Sequence, residues 1–257
     1  MTSGGVRIEA AIAGAVASGR AAIAAFVTAG DPTRSRSASI LRAVASAADV
    51  VEIGVPFSDP VADGPTIQRS SRRALAGGIT LAGILADLRA MRSELPAPVV
   101  LMSYLNPLLA YGPARLAVDA AAAGVDGLVV PDLPLEEQGL LDSDLRHAGL
   151  ALIQLVAPTT PAERARELAA RSEGFIYAVA VTGITGAAIE DSERIAASIA
   201  AIKRRGSVPV LAGFGVRSRS DVARLVPPAD GVVVGSALIE AIEAGGDPAS
   251  FLHGLAR

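Results

Sequence analysis

The sequence contains no cysteine and only two histidines, and both facts narrow the chemistry that it can support. Without cysteine, the 257-residue chain has no disulfide, no thiolate nucleophile and no cysteine metal site. The two histidines, His147 and His253, are too few for a histidine-rich metal site, and His147 falls in a helical segment where a solvated position is expected. We therefore expect no metal site, and the carboxylates become the main candidates for proton transfer.

The sequence also has no large excess of charge of one sign and no long hydrophobic run. There are 23 basic and 26 acidic residues, a formal net charge of −3. This balance gives no electrostatic reason to expect nucleic acid or an anionic membrane as a partner. The N-terminal segment lacks the apolar core of a signal peptide, and no run approaches the length needed to cross a bilayer. We expect a cytoplasmic protein that binds neither nucleic acid nor membrane.

Hydrophobic residues make up 51% of the chain, and they form a repeating pattern. Short apolar runs rich in β-branched residues alternate with alanine-rich helical segments, as in a parallel sheet that is buried on both faces. Eight such runs occur, at 21–28, 49–55, 98–104, 125–130, 150–156, 174–181, 208–213 and 230–235. Eight βα units in about 250 residues predict an α/β fold of the (β/α)₈ TIM-barrel class, with a doubly wound open sheet as the alternative.

One more segment precedes the first strand. Residues 5–19 are alanine-rich and predict an extra helix, which we expect to close the bottom of the barrel. Neither a shift in composition nor a linker divides the chain. The sequence therefore predicts a single barrel domain over residues 1–257, with residues 1–19 containing the extra N-terminal helix.

The stretch "VEIGVPFSDPVADGPTIQ" at 51–68 places carboxylates at the functional face of such a barrel. Glu52 interrupts an apolar strand near its carboxyl end, and Asp59 and Asp63 lie in the loop that follows. Active sites of these barrels lie at the carboxyl ends of the strands and in the loops after them. Glu52 also has a structural alternative, a buried carboxylate satisfied by a salt bridge or by backbone amides. For Asp59 and Asp63 the alternative is turn formation beside proline and glycine.

Glycines late in the chain predict a phosphate site. Gly215 follows strand 7, Gly235 and Ser236 follow strand 8 and open a helix, and Gly186 lies on the facing loop after strand 6. Glycine lets backbone amides approach an anion, and the helix dipole favours its charge. Each glycine alone could serve a tight turn, but their combination on one face is typical of phosphate binding in this fold.

These motifs resemble those of the tryptophan synthase α-chain family. The resemblance runs in order from about residue 20 to 243 and rests on the segments 26–32 "FVTAGDP", 51–68, 131–137 "PDLPLEE", 183–187 "GITGA", 213–216 "GFGV" and 235–239 "GSALI". It implies a lyase that cleaves indole-3-glycerol phosphate to indole and glyceraldehyde 3-phosphate. It also implies a tryptophan synthase β chain as partner, in an α₂β₂ heterotetramer. No cofactor is expected in this chain, since pyridoxal phosphate belongs to the β chain.

The resemblance assigns roles to individual residues. Glu52 and Asp63 match the catalytic pair, and Gly186, Gly215, Gly235 and Ser236 match the phosphate contacts. The residues implied for the indole pocket are Phe26, Tyr104, Val129, Val156, Tyr177 and Phe214. Residues 181–192 match the active-site lid, in which Thr185 meets the loop aspartate on closure. The residues implied for the partner interface are Pro56, Asp59, Asn106, Asp132 and Pro134.

The implied reaction explains why these carboxylates are needed. Carbon–carbon cleavage leaves electrons on the indole ring, which is easier once the ring is protonated at C3. Glu52 can deliver that proton and then accept one from the glycerol hydroxyl, a task that favours a pKa raised by burial. Asp63 is expected to stay ionised, to accept the indole N–H and to stabilise positive charge there.

Other hypotheses for the function of the chain stay open at this point. A free-standing indole-glycerol-phosphate lyase fits the same residues, and so does a non-enzymatic chain that only activates a β chain, although retention of Glu52 and Asp63 argues against the latter. A Schiff-base aldolase needs a lysine at a strand end, whereas the single lysine, Lys203, lies in a helical stretch. Ala180 and Val181 depart from the commonest family pattern, in which many members have serine, and some arginine, before the lid glycine.

Overall fold

A computed structural model describes residues 2–179, 192–204, 206–213 and 215–256 of the chain. Its centre is a closed barrel of eight parallel strands, in which each strand pairs with the next and β8 pairs with β1. The strands are β1 (Ala22–Thr28), β2 (Val50–Gly54), β3 (Val99–Met102), β4 (Gly127–Val129), β5 (Ala151–Val156), β6 (Ile176–Val179), β7 (Val210–Gly213) and β8 (Gly231–Val234). The predicted (β/α)₈ barrel is confirmed, and the open-sheet alternative is wrong.

Helices surround the barrel in the described part of the chain. The α-helices are α1 (Gly4–Ala17), α2 (Arg34–Ala47), α3 (Pro65–Ala76), α4 (Leu81–Met91), α5 (Leu105–Tyr111), α6 (Pro113–Ala122), α7 (Asp142–His147), α8 (Ala162–Arg171), α9 (Ser192–Lys203), α10 (Arg219–Leu225), α11 (Ser236–Glu243) and α12 (Pro248–Ala256). Short 3₁₀ turns occupy Arg92–Glu94 and Leu135–Leu140. The predictions from sequence did not include α3, α5 or α12.

Local sequence explains where several helices begin. The Thr80 hydroxyl accepts from the backbone N–H of Gly83 at 3.1 Å and caps α4. Ser218 and Asp221 form a capping box at the start of α10. Each arrangement satisfies backbone donors that the first turn of a helix leaves without a partner, and such a cap stabilises a helix by about 1 kcal/mol.

The strands are mostly apolar because both of their faces are buried, with buried polar exceptions such as Glu52 and Gln154. In β1, Ala22, Ala24 and Phe26 point into the barrel, and Ile23 and Val27 pack in the layer between sheet and helices. Fully burying one large apolar side chain stabilises the fold by about 1.5–3 kcal/mol.

Helix α1 closes the amino end of the barrel. Ile8 and Ile12 are fully buried among the inward-facing residues. A methyl group at Gly4 would lie 1.8 Å from the carbonyl oxygen of Asp126, the residue before β4, so the helix contacts the backbone closely there. The Arg7 guanidinium is 3.1 Å from the Asp126 carboxylate. The predicted extra helix is confirmed, and its position leaves the opposite end of the barrel for the functional loops.

In the part of the chain that the structure describes, no single helix is both long and apolar enough to cross a membrane. One pair of helical segments, Pro65–Ala76 and Leu81–Glu94, passes that test only when taken together, and it is bent by 90°.

Candidate active site

Glu52 lies in the middle of β2 with its backbone fixed on both sides. Its Cα is paired with that of Phe26 on β1 and with that of Val100 on β3. The residue is 1% exposed, and neither carboxyl oxygen has a hydrogen-bond partner among the described residues. Burial, followed by the negative charge of Asp63, raises the pKa of Glu52 to about 8. The side chain is therefore a neutral acid at pH 7, and the expected salt-bridge or amide partners of the structural alternative are not found around it in the described residues.

Asp63 lies in the loop after β2, two residues before α3 begins. The Tyr104 hydroxyl forms a hydrogen bond with its carboxylate and accepts from the backbone N–H of Ala62 at 2.9 Å. The Gln68 amide donates to the backbone carbonyl of Asp63 at 2.8 Å. Burial raises the pKa of Asp63 to about 6, against the lowering effect of the Tyr104 bond. Most molecules thus carry an ionised Asp63 at pH 7, in contrast to Glu52.

Two aromatic side chains form part of the wall of the cavity above the barrel. Phe26 and Tyr177 line it together with Ile67 and Met102. Burial and the charges of Glu52 and Asp63 raise the pKa of Tyr177, so its hydroxyl stays protonated. The cavity therefore offers an apolar surface beside the two carboxyl groups.

Each of these two rings rests on a glycine of the neighbouring strand. A methyl group at Gly54 would lie 2.3 Å from Cζ of Phe26, and one at Gly213 would lie 2.3 Å from Cε1 of Tyr177. Real Cβ atoms do not approach other atoms so closely, so the rings take these positions because both glycines lack a side chain.

The glycine-rich end of the cavity lies at the loops after β7 and β8. Gly215, Gly235 and Ser236 line it, and Gly215 has a φ of +84°, a conformation that glycine adopts readily. Ser236 is the first residue of α11. The start of a helix presents backbone N–H groups and the positive end of its dipole, so this end of the cavity suits an anion.

Other predicted residues lie elsewhere or outside the described chain. Val129 is fully buried among the inward-facing residues. Gly186, Thr185, Phe214 and residues 180–191, which include Ala180 and Val181, lie outside the described residues.

The prediction for Val156 needs correction. Its side chain packs in the layer between sheet and helices, and its neighbour Leu155 packs against the inward-facing cluster. Successive strand residues point to opposite faces, so Leu155 is the residue of this pair on the inner side of β5.

The residues predicted for the partner interface differ in exposure. Asp59, Asn106, Asp132 and Pro134 are exposed, whereas Pro56 is buried. A carboxylate oxygen of Asp132 accepts from the backbone N–H of Leu105 at 2.8 Å, at the start of α5. The loop after β4 is thereby attached to the loop after β3.

The structure also reveals site residues that the sequence did not indicate. Ile67 and Met102 line the cavity, and so does Arg217, which bonds to Glu240 on α11. Ile67 could not be assigned because α3 itself was not predicted. Among the described residues, no group of three or more histidine, cysteine, aspartate or glutamate side chains could hold a metal ion.

The closed barrel, the neutral buried acid beside an ionised carboxylate and the anion-accepting loops place the chain among the (β/α)₈-barrel enzymes that work by acid–base chemistry. Comparison with known proteins identifies the family. A sequence model of the tryptophan synthase alpha chain family matches residues 12–253. This chain belongs to that family, whose members are carbon–carbon lyases that cleave indole-3-glycerol phosphate.

Individual relatives agree over nearly the whole length. The tryptophan synthase alpha chain of Acidiphilium cryptum is 48% identical over 245 residues, covering 94% of this chain and 88% of that protein. The alpha chain of Bacillus cereus is 46% identical over 233 residues, 90% of each protein. The structure of Mycobacterium tuberculosis tryptophan synthase is similar with a TM-score of 0.90 at 36% identity, covering 99% of this chain and 97% of that chain.

Proposed function

We propose that this chain cleaves indole-3-glycerol phosphate with Glu52 as the proton shuttle and Asp63 as the anion that stabilises the ring. One observation carries the assignment: a fully buried carboxyl group with no hydrogen-bond partner among the described residues, next to a second carboxylate of lower pKa. Leaving a buried polar group without a partner costs about 1–3 kcal/mol. A group kept in the fold at that cost is a strong candidate for chemistry.

The different pKa values of the two groups match the steps of the reaction. Glu52 starts neutral and donates its proton to C3 of the indole ring, which places positive charge on the ring nitrogen. The Asp63 carboxylate accepts the N–H and stabilises that charge. Glu52, now ionised, takes the proton of the glycerol hydroxyl. The C–C bond breaks, its electron pair returns to the ring, and the hydroxyl-bearing carbon becomes the aldehyde. Glu52 ends protonated, as it began.

The same geometry supports a position for the phosphate group. Gly215, Gly235 and Ser236 lie at one end of the cavity, and Phe26 and Tyr177 lie along its wall. A substrate with a charged phosphate and an apolar ring fits an anion-accepting end and an apolar wall. Gly186 and the lid at 181–192 belong to the same proposal by family resemblance.

We propose a tryptophan synthase β chain as the partner, in an α₂β₂ assembly in the cytoplasm, with pyridoxal phosphate carried by the β chain. The exposed residues Asp59, Asn106 and Asp132 would contribute to the contact, and the 80%-exposed side chain of Val61 adds apolar surface to the same loop as Asp59.

The test is indole release from indole-3-glycerol phosphate by the purified chain, measured with and without a β chain. We expect Glu52→Gln and Asp63→Asn to lose about 10²–10⁴-fold in turnover, the usual contribution of a general acid–base group. Glu94→Gln is the control, since Glu94 is an exposed residue paired with Arg42. Near-normal turnover in Glu52→Gln would refute the shuttle, and full turnover without a β chain would favour the free-standing lyase.

A substitution at Asp59 tests the proposed partner surface. Asp59 lies four residues before Asp63 on the same loop, so a partner that contacts it can shift the catalytic carboxylate. We expect Asp59→Ala to keep the basal activity of the isolated chain and to need severalfold more β chain for activation. Asp87→Ala, which removes a carboxylate from α4 in the outer ring of helices, is the control. Normal activation of Asp59→Ala at ordinary β-chain concentration would exclude this loop as the route.

A further inference from the structure

The anion-accepting end of the cavity contains one charged side chain that the family resemblance did not assign. Among the described residues that line the cavity, Arg217 is the only one with a charged side chain. A phosphate group entering this end would therefore meet backbone N–H groups, the Ser236 hydroxyl and the Arg217 guanidinium.

The backbone of Arg217 is held in place. Its N–H donates to a carboxylate oxygen of Asp221 at 3.0 Å, and the N–H of Ser218 donates to the same oxygen at 2.9 Å. Asp221 lies in the first turn of α10 and forms the capping box with Ser218. These bonds fix the backbone from which the Arg217 side chain extends, two residues after Gly215.

The guanidinium group is held as well. It donates to one carboxylate oxygen of Glu240, and the other oxygen of Glu240 accepts from the Thr66 hydroxyl at 2.8 Å. Glu240 lies one turn after Ser236 on α11, so this bond keeps the guanidinium beside the start of that helix. Among its bonds to described residues, this one uses one of the five N–H donors of the arginine, and four remain for other acceptors.

The charges of Glu240 and Arg217 determine whether a phosphate group can bind beside them. Glu240 is an anion one helical turn from the place where a phosphate would bind, and like charges at such distances repel. Arg217 neutralises Glu240 and supplies a planar set of donors, the geometry that suits phosphate oxygens. We propose that Arg217 is a further binding residue for the phosphate group of the substrate, held at the cavity by Glu240. The proposal rests on the function proposed above.

Affinity for inorganic phosphate tests it without relying on turnover. We expect Arg217→Met to weaken phosphate binding, measured by calorimetry, about five- to twentyfold, and to raise KM for indole-3-glycerol phosphate by a similar factor with a smaller change in kcat. Arg217→Lys should recover part of the affinity because it keeps the charge but not the planar donors. Arg42→Met is the matched control, since Arg42 is similarly exposed and pairs with Glu94, and neither residue lines the cavity.

Salt dependence separates binding from a structural role. A charged contact is screened by salt, so the phosphate affinity of the unaltered chain should fall more steeply with ionic strength than that of Arg217→Met. Equal affinity and equal salt dependence in the two proteins would overturn the proposal. A chain that binds phosphate through Arg217 but releases no indole would instead refute the proposed function and leave the role of Arg217 standing.

Discussion

Replacing Glu52 with glutamine should make the protein more stable in alkaline solution while abolishing its activity. The reason is the buried carboxyl group. Its pKa rises from an ordinary value of 4.5 to about 8 in the folded protein. Below about pH 4.5 the group is protonated in both the folded and the unfolded chain. Between pH 4.5 and 8 the unfolded chain releases the proton and the folded protein keeps it, so the free energy of unfolding falls as the pH rises. Above pH 8 the loss is complete.

The size of the effect follows from the two pKa values. At about 1.36 kcal/mol for each pKa unit, a rise from 4.5 to about 8 costs up to about 5 kcal/mol of stability at high pH. Domains unfold with about 5–15 kcal/mol in total, so this is a large share. Glutamine has nearly the same shape and does not ionise, and it therefore removes the penalty.

Urea unfolding at pH 5 and pH 9 measures the difference. We expect the two proteins to have similar stabilities at pH 5, where Glu52 is neutral, and Glu52→Gln to be more stable by several kcal/mol at pH 9. Groups remote from Glu52 titrate equally in both proteins and cancel in the comparison, and Asp63 and Tyr177 are the neighbours whose titration the substitution can also change. In the control Glu94→Gln, the residue removed is an exposed one whose pKa is lowered by its bond to Arg42, so no alkaline gain is expected. A difference between the proteins that is the same at both pH values would show that Glu52 does not keep its proton in the folded state.

Two further predictions concern the neighbours of the carboxyl groups. Tyr104→Phe removes the hydrogen bond that lowers the pKa of Asp63, so the acid limb of the kcat–pH profile should move to higher pH; an unmoved limb would mean that ionised Asp63 is not required. Gly54→Ala places a methyl group 2.3 Å from the Phe26 ring and should destabilise the fold by about 1–3 kcal/mol in thermal unfolding. Gly14→Ala, which meets no atom within 4 Å, should be neutral or stabilising, and equal melting temperatures for both alanine variants would contradict the close packing.

The strands were predictable from the sequence and one helix beside the site was not. All eight strands fall within the apolar runs, because a strand buried on both faces needs apolar residues at nearly every position. Helix α3 was not predicted because its sequence has no clear set of large apolar residues. Its buried residues are Thr66, Ile67, Ser70, Ser71 and Ala74, a mostly small and polar set, so the buried face of this helix differs from its charged face in residue size and charge but carries few large apolar side chains.

Because the runs are apolar at nearly every position, they do not show which way each side chain points. Leu155 and Val156 are both apolar, and the sequence does not show which of them faces the inside of the barrel. Gln154, the polar residue in this strand, points outward and accepts from the Gln138 amide at 2.6 Å. Glu52 was recognisable because a charge inside an apolar run has few structural uses. Arg217 was not, because its bond to Glu240 spans 23 residues and depends on how the barrel closes.

The pairing of each aromatic ring with a glycine on the next strand bears on how the substrate range of this barrel could be altered. At each ring, the shape of the cavity wall depends on two chain positions. Phe26 is in close contact with Gly54, and Tyr177 with Gly213. Shrinking a ring alone leaves a void, and enlarging a glycine alone forces a clash. A compensated exchange, with a smaller residue at 26 and alanine at 54, would conserve packed volume while moving the wall sideways. Libraries aimed at substituted indoles should therefore vary these positions in pairs, and single-site scans would miss the productive combinations.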